Sequence, residues 1–99
     1  MTVKAVKLIS GEELLGEVME ETTDEIALKN VLAILISRAQ DGNLGVGFVP
    51  FAPYLGKDVI HDFKRSQLIF VKEVDEQMRN QYNSIFGGVV VPPKTLILG

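Results

Sequence analysis

Apolar residues in this chain come first in short alternating or continuous runs and then, once, at helical spacing. Residues 3–9 are apolar and β-branched, broken by Lys4 and Lys7, which predicts a strand with two usable faces. Ser10-Gly11 supplies a turn. Residues 14–21 alternate imperfectly, with Leu15, Glu17, Met19 and Glu21 on one face, and Thr22-Thr23-Asp24 is a polar break. Ile26-Ala27-Leu28-Lys29 alternates at period two, and the unbroken run Val31-Leu32-Ala33-Ile34-Leu35-Ile36 predicts a strand buried on both sides. Asp41-Gly42-Asn43 marks a hairpin. The strand expected over 44–51 has Gly45 and Gly47 for close packing or a bend. Pro50 and the following Pro53 lack donors, so it must be bent, short or at an edge there. A loop at 54–57, a strand at 59–63, the polar turn Lys64-Arg65-Ser66-Gln67 and an apolar strand from Leu68 to Val74 follow. The character then changes. Asp75 is a helix N-cap with Glu76 behind it, and Met78, Tyr82, Ile85 and Phe86 share one helical face. Gly87-Gly88 fits the helix end, Pro92 and Pro93 exclude helix beyond it, and Leu96-Ile97-Leu98 is apolar.

Short antiparallel strands joined by hairpins, about five in number, predict a small, strongly bent barrel with one late helix. The fold class is therefore mainly β. Residues 1–74 form the barrel, 75–88 the C-terminal α-helix and 89–99 an apolar tail, all within one domain. One helix cannot cover so much apolar surface. Exposed apolar runs and open strand edges adhere, and pairing the edges between copies in a closed ring removes both without fibre growth. The plainer alternative is a monomer whose core is already covered.

Composition narrows the chemistry. The 99 residues are 46% hydrophobic and 23% charged, in the range of globular chains. There is no cysteine and one histidine, so thiolate catalysis, disulfides, cysteine zinc sites and paired-histidine chemistry are excluded. No apolar run reaches the roughly 18 residues of a membrane span, and the opening lacks the continuous apolar core of a secretory leader, so no membrane partner and a cytoplasmic location are expected. Glu12-Glu13 and Glu20-Glu21 lie side by side on strands, so their carboxylates face apart rather than pairing for acid–base work. Asp58, His61 and Asp62 read as a chance surface cluster, and Gly45-x-Gly47 lacks the rest of a phosphate loop. No catalytic residue, metal, cofactor or small-molecule substrate is expected; the chain reads as a binding module and not an enzyme. The net charge of −3 is unevenly placed: residues 12–25 carry acids and no base, whereas residues 57–79 hold Lys57, Lys64, Arg65, Lys72 and Arg79 against an equal number of acids.

Val6-Lys7-Leu8-Ile9-Ser10-Gly11-Glu12-Glu13-Leu14-Leu15-Gly16-Glu17-Val18 resembles the first Sm motif, with Gly11 and Gly16 at its glycine spacing. The first glycine makes a tight hairpin and the second lets a strand bend into a tiny barrel. Phe63-Lys64-Arg65-Ser66-Gln67-Leu68-Ile69-Phe70-Val71 is laid out like the second motif, with Lys64 at its basic position and Arg65 where the family has glycine. The resemblance covers residues 3–74. Leu28-Lys29-Asn30 and Gln81-Tyr82-Asn83-Ser84-Ile85-Phe86-Gly87 are similar to the Sm-like proteins of tailed phages, in which a helix follows the barrel; the location would then be the host cytoplasm.

The resemblance implies a five-stranded Sm-like (SH3-type) barrel and a homo-oligomeric ring of roughly five to seven subunits. It places subunit edges within 44–51 or 59–63 and within 68–74, with Val46, Phe48, Leu68, Ile69, Phe70 and Val71 at the interface. It also implies single-stranded RNA at the pore, bound by Asn30, Lys64, Arg65 and Ser66. The family's Asp-x-x-apolar-Asn spacing is not met after Asp24, no aromatic fills the stacking position, and the loop 20–25 is acidic. Two readings therefore stay open: a ring that binds RNA, or a ring-shaped protein–protein adaptor that does not. Asn30 also fits a residue at a strand bend, and Lys64 and Arg65 an ordinary charged turn.

Overall fold

The computed structural model describes residues 2–56 and 58–86, and the backbone of 96–98. Along the chain come β1 (Val3–Leu8), β2 (Glu13–Glu21), β3 (Glu25–Arg38), β4 (Leu44–Pro50), β5 (Ile60–Lys64), β6 (Leu68–Glu73), α1 (Glu76–Phe86) and β7 (Leu96–Leu98). Single 3-10 turns, Pro53–Leu55 and Arg65–Gln67, flank β5. The strands form an antiparallel sheet in the order β6-β1-β2-β3-β4-β7, and β5 pairs with β3 alone. The expected class, mainly β with one late helix, is what is observed. Two details differ from the sequence reading. The segments 26–29 and 31–36 are one strand, and the apolar stretch Leu96–Leu98 is itself a strand on β4.

The long β3 is the spine. Its first half, Glu25 to Lys29, pairs with β5, and its second half, Leu32 to Arg38, pairs with β4. Asn30 stands at the joint with φ 53°, a left-handed conformation that asparagine tolerates better than most residues. Against β2, the register steps from Leu15↔Leu32 to Glu17↔Lys29, so β3 carries one extra residue there, a β-bulge. The bulge reverses which side chains face in. Ile26 and Leu28 point to one core, and beyond Asn30 the same core takes Val31 and Ala33.

The sheet has apolar layers on both faces. Val6, Leu14, Ile26, Leu28 and Val31 form the inner layer, completed by Leu68 and Val71 from β6 and by Phe51 and Phe63. Val3, Leu15 and Leu32 form the outer layer, which Tyr82, Met78 and Val74 cover. Neighbours such as Leu14 and Leu15 are thus both buried, because the helix covers the face that an ordinary half-solvated sheet leaves to water. Asp75 caps α1: the Met78 N–H donates to its Oδ1 at 2.8 Å. Gly87-Gly88 and residues 89–95 lie outside the described residues.

The apolar run 31–36 corrects an expectation. Val31 and Leu32 are buried, but Leu35 and Ile36 are 54% and 57% exposed. Strand β3 outruns the helix and projects with β4, whose far edge carries β7, and the β3–β4 hairpin turns at Gly42 (φ 88°), where Asp41 Oδ1 accepts the Asn43 N–H. Gly16 also serves differently from its expected role. A Cβ there would sit 3.0 Å from Leu28 Cβ, so it is close strand packing, rather than an unusual φ, that requires glycine.

Candidate functional site

The β5–β6 corner holds the basic residues singled out from the sequence. The Arg65 N–H donates to the Asp24 carbonyl at 2.8 Å, and the Ile9 N–H donates to the Gln67 carbonyl at 2.9 Å. These bonds tie the corner to the β2–β3 turn and to the end of β1. Between corner and turn lies an open groove of about 490 Å³ lined by Thr23, Asp24, Glu25, Lys64, Arg65 and Ser66. Three of the four residues expected to contact RNA, Lys64, Arg65 and Ser66, are therefore together.

The corner's charge is partly committed. Glu21 accepts from Arg65 Nη2 and, at 2.8 Å, from Lys4 Nζ. The Lys4 hydrogen bond, with the Arg65 guanidinium adding to it against slight burial, holds the Glu21 carboxyl below the usual carboxylate range. Lys7 faces Glu13 at 3.6 Å. The acidic stretch 12–25 is thus partly neutralised within the fold, and Asp24 and Glu25 share the groove with the two bases.

Asn30 is elsewhere. Five strand positions separate it from Glu25, which pairs with Lys64; at a strand rise of about 3.3 Å per residue this is about 16 Å. It lines a different and deeper feature, a cleft of about 660 Å³ between the bulge of β3, the β4–β5 connection and the end of α1. Val31, Leu32, Phe48, Phe51, Ile85 and Phe86 give that cleft apolar walls. Asp58 and His61 are its other polar side chains, and Lys29 Nζ lies 3.9 Å from Asp58 Oδ1. His61 and Phe51 meet edge to face with ring centres 5.2 Å apart. Asp62 points to the other face of β5 from His61. Among the described residues, the three non-glycine residues with positive φ, Asn30, Ala52 and Asp58, all line this cleft. The left-handed conformation costs roughly 1–2 kcal/mol at Ala52.

Tyr82 joins helix to bulge. Its hydroxyl donates to the carbonyls of Asn30 (2.8 Å) and Lys29 (3.1 Å), and the side chain is 1% exposed. Burial pushes its phenol above the ordinary tyrosine range, and both carbonyls accept only from the protonated form. Sequence periodicity placed Tyr82 on the packing face but gave no sign of this clamp. The cleft was likewise missed, because its walls come from three distant segments. Ile85 and Phe86, on the same helical face as Tyr82, stand at its rim, Phe86 40% exposed.

The expected interface residues are divided. Val46 is buried in its own sheet, Phe48 packs in the outer layer, and Leu68 and Val71 pack in the inner one. Phe70 is half-buried, and Ile69 is 60% exposed on β6. Strand β7 covers the outer edge of β4 at Leu44 to Val46. Among the described residues the outer edges of β5, of β6 and of β4 beyond Val46 have no strand partner. No helix among the described residues is long and apolar enough to cross a membrane, and no trio of acidic or histidine side chains there converges to hold a metal ion.

Comparison of the chain with protein-family models and with curated proteins found no match.

Proposed function

We propose that this chain is the subunit of a homo-oligomeric, Sm-like ring whose basic corners, repeated around a pore, hold single-stranded RNA. The carrying observation is a pair of open edges, β6 with Ile69 exposed at one end of the sheet and β5 where it branches from the first half of β3. Antiparallel pairing of β6 with the β5 edge of the next copy continues the sheet from subunit to subunit and ends in closure. The backbone bonds from the β5–β6 corner to Asp24 and Ile9 support a barrel within each copy. The groove holding Lys64, Arg65 and Ser66 supports the RNA track, since a ring repeats a weak basic contact many times over.

A second reading, an adaptor ring that binds protein and no nucleic acid, is favoured by the Glu21–Arg65 pair and by Asp24 and Glu25 in the groove. Light scattering after gel filtration gives the first test. The ring requires a mass several times 10.9 kDa, and Ile69→Glu should return it to the monomer with an unchanged circular dichroism spectrum. A monomeric wild type overturns both readings. The second test is fluorescence anisotropy with a labelled ten-nucleotide oligouridine at low and high salt. RNA binding predicts affinity that falls steeply with salt and is lost in Lys64→Ala/Arg65→Ala; an intact ring without that binding leaves the adaptor.

A further inference from the structure

We propose that the cleft between the β3 bulge, the β4–β5 connection and the end of α1 is a binding site for an adenine base. It is separate from the Lys64–Arg65 corner and does not depend on the ring. Its volume of about 660 Å³ and its mainly apolar walls with a few polar groups are those of a small-ligand pocket. Phe51 and His61 offer ring surface from the β4–β5 side and Phe86 from the helix side, so the occupant should be planar and aromatic.

The polar groups choose among planar ligands. Among the described residues the Asn30 side-chain amide makes no hydrogen bond, and its backbone carbonyl accepts from Tyr82. A free amide presents one acceptor and one donor in a planar fork, which matches the amino and N7 edge of adenine. Asp58 is an acceptor and so favours an amino-bearing base over the two carbonyls of uracil. Its carboxylate also opposes a phosphate in the cleft, which leaves any phosphate at the rim near Lys29. The strained backbone supports a built site. Every non-glycine residue with positive φ among the described residues lines this one cleft, and such strain collects where a surface is shaped for a ligand.

The test is calorimetric titration of the whole protein with adenosine, AMP, uridine and cytidine, and with a six-nucleotide oligoadenylate. Adenosine should saturate at one site per chain and bind at least about tenfold tighter than uridine. Asn30→Gly suits the left-handed position better than asparagine, so it should keep the fold while weakening adenosine by about tenfold or more. Phe86→Ala should weaken it as well, and Lys64→Ala should leave it unchanged. Preference for adenosine and AMP points to a free nucleotide, and preference for the oligomer to a strand; both support the site. No binding of any adenine probe, tighter binding of cytidine, or affinity indifferent to Asn30→Gly with circular dichroism intact overturns it.

Discussion

Replacing Tyr82 by Phe isolates one oxygen atom at the point where helix and bulge meet. The hydroxyl donates to the Asn30 and Lys29 carbonyls at 2.8 and 3.1 Å. Losing a hydrogen bond of this kind costs about 1 kcal/mol net, and leaving partly buried carbonyls without that donor raises the total to about 1–2 kcal/mol. The ring stays, with its packing on Val3, Leu15 and Leu32 and its 5.0 Å approach to Phe86. Urea or thermal unfolding followed by circular dichroism, at one fixed protein concentration, should show a loss of roughly 4–8 °C per kcal/mol for a domain of this size. Tyr82→Ala, which also removes the ring, should cost about 3–5 kcal/mol. Alkaline pH gives an independent check. A phenol whose folded pKa is raised contributes stability that is complete below its unfolded value of about 10 and is lost as pH climbs above it. The wild type should therefore lose stability above pH ~10 more steeply than Tyr82→Phe. A Tyr82→Phe protein within about 0.3 kcal/mol of wild type at neutral pH, with the same alkaline slope, refutes the clamp.

Four further outcomes follow from the same geometry. Glu21→Gln removes the carboxylate between Lys4 and Arg65; its lowered pKa makes its contribution present above about pH 4.5 and lost as pH falls through the folded-state pKa, so in urea unfolding wild type should be more stable than the variant by about 0.5–1 kcal/mol at pH 7, and the difference should shrink in acid. The same variant frees Arg65, so if the corner binds RNA its affinity for oligouridine should rise severalfold. Gly16→Ala should cost about 1–3 kcal/mol because its Cβ would meet Leu28 Cβ at 3.0 Å, whereas Gly11→Ala, with open space but φ 106°, should cost about 1 kcal/mol in the same denaturation assay. Asp75→Ala removes the acceptor of the Met78 N–H and should lower stability by about 1 kcal/mol, with a small loss of helical signal.

Local signals were legible wherever one residue carries the physics alone. Asp75 as helix cap, Asp41-Gly42-Asn43 as hairpin and the polar turn before Leu68 all depend on chemistry within three or four residues; the first two stand where the pattern put them, and the turn starts one residue later, at Arg65, with Lys64 still in β5. The apolar run 31–36 misled because it reports affinity for an apolar partner without saying whether that partner is in the same chain. Val31 and Leu32 find theirs inside, and Leu35 and Ile36 do not. The cleft was invisible for a related reason: Asn30, Phe51, His61 and Phe86 carry no spacing signal, since the topology and not the sequence distance brings them together.

Asn30 shows how one backbone torsion links these levels. An unbroken alternation through β3 would keep Ile26, Leu28 and residue 30 on the inner face and would send Val31 outward, away from the inner layer where it is now buried. The left-handed turn at φ 53° inserts one residue and reverses the alternation, so that Val31 fills the inner layer and Leu32 meets Tyr82 under the helix. The same turn is where β3 changes partner from β5 to β4, and the gap between those two strands opens beside it as the cleft. The bulge also anchors the helix, because its carbonyls accept from the helix's tyrosine. The residue that solves a packing problem in the sheet is therefore also the one that shapes the pocket, which is why Asn30→Gly tests binding there while leaving the turn itself in place.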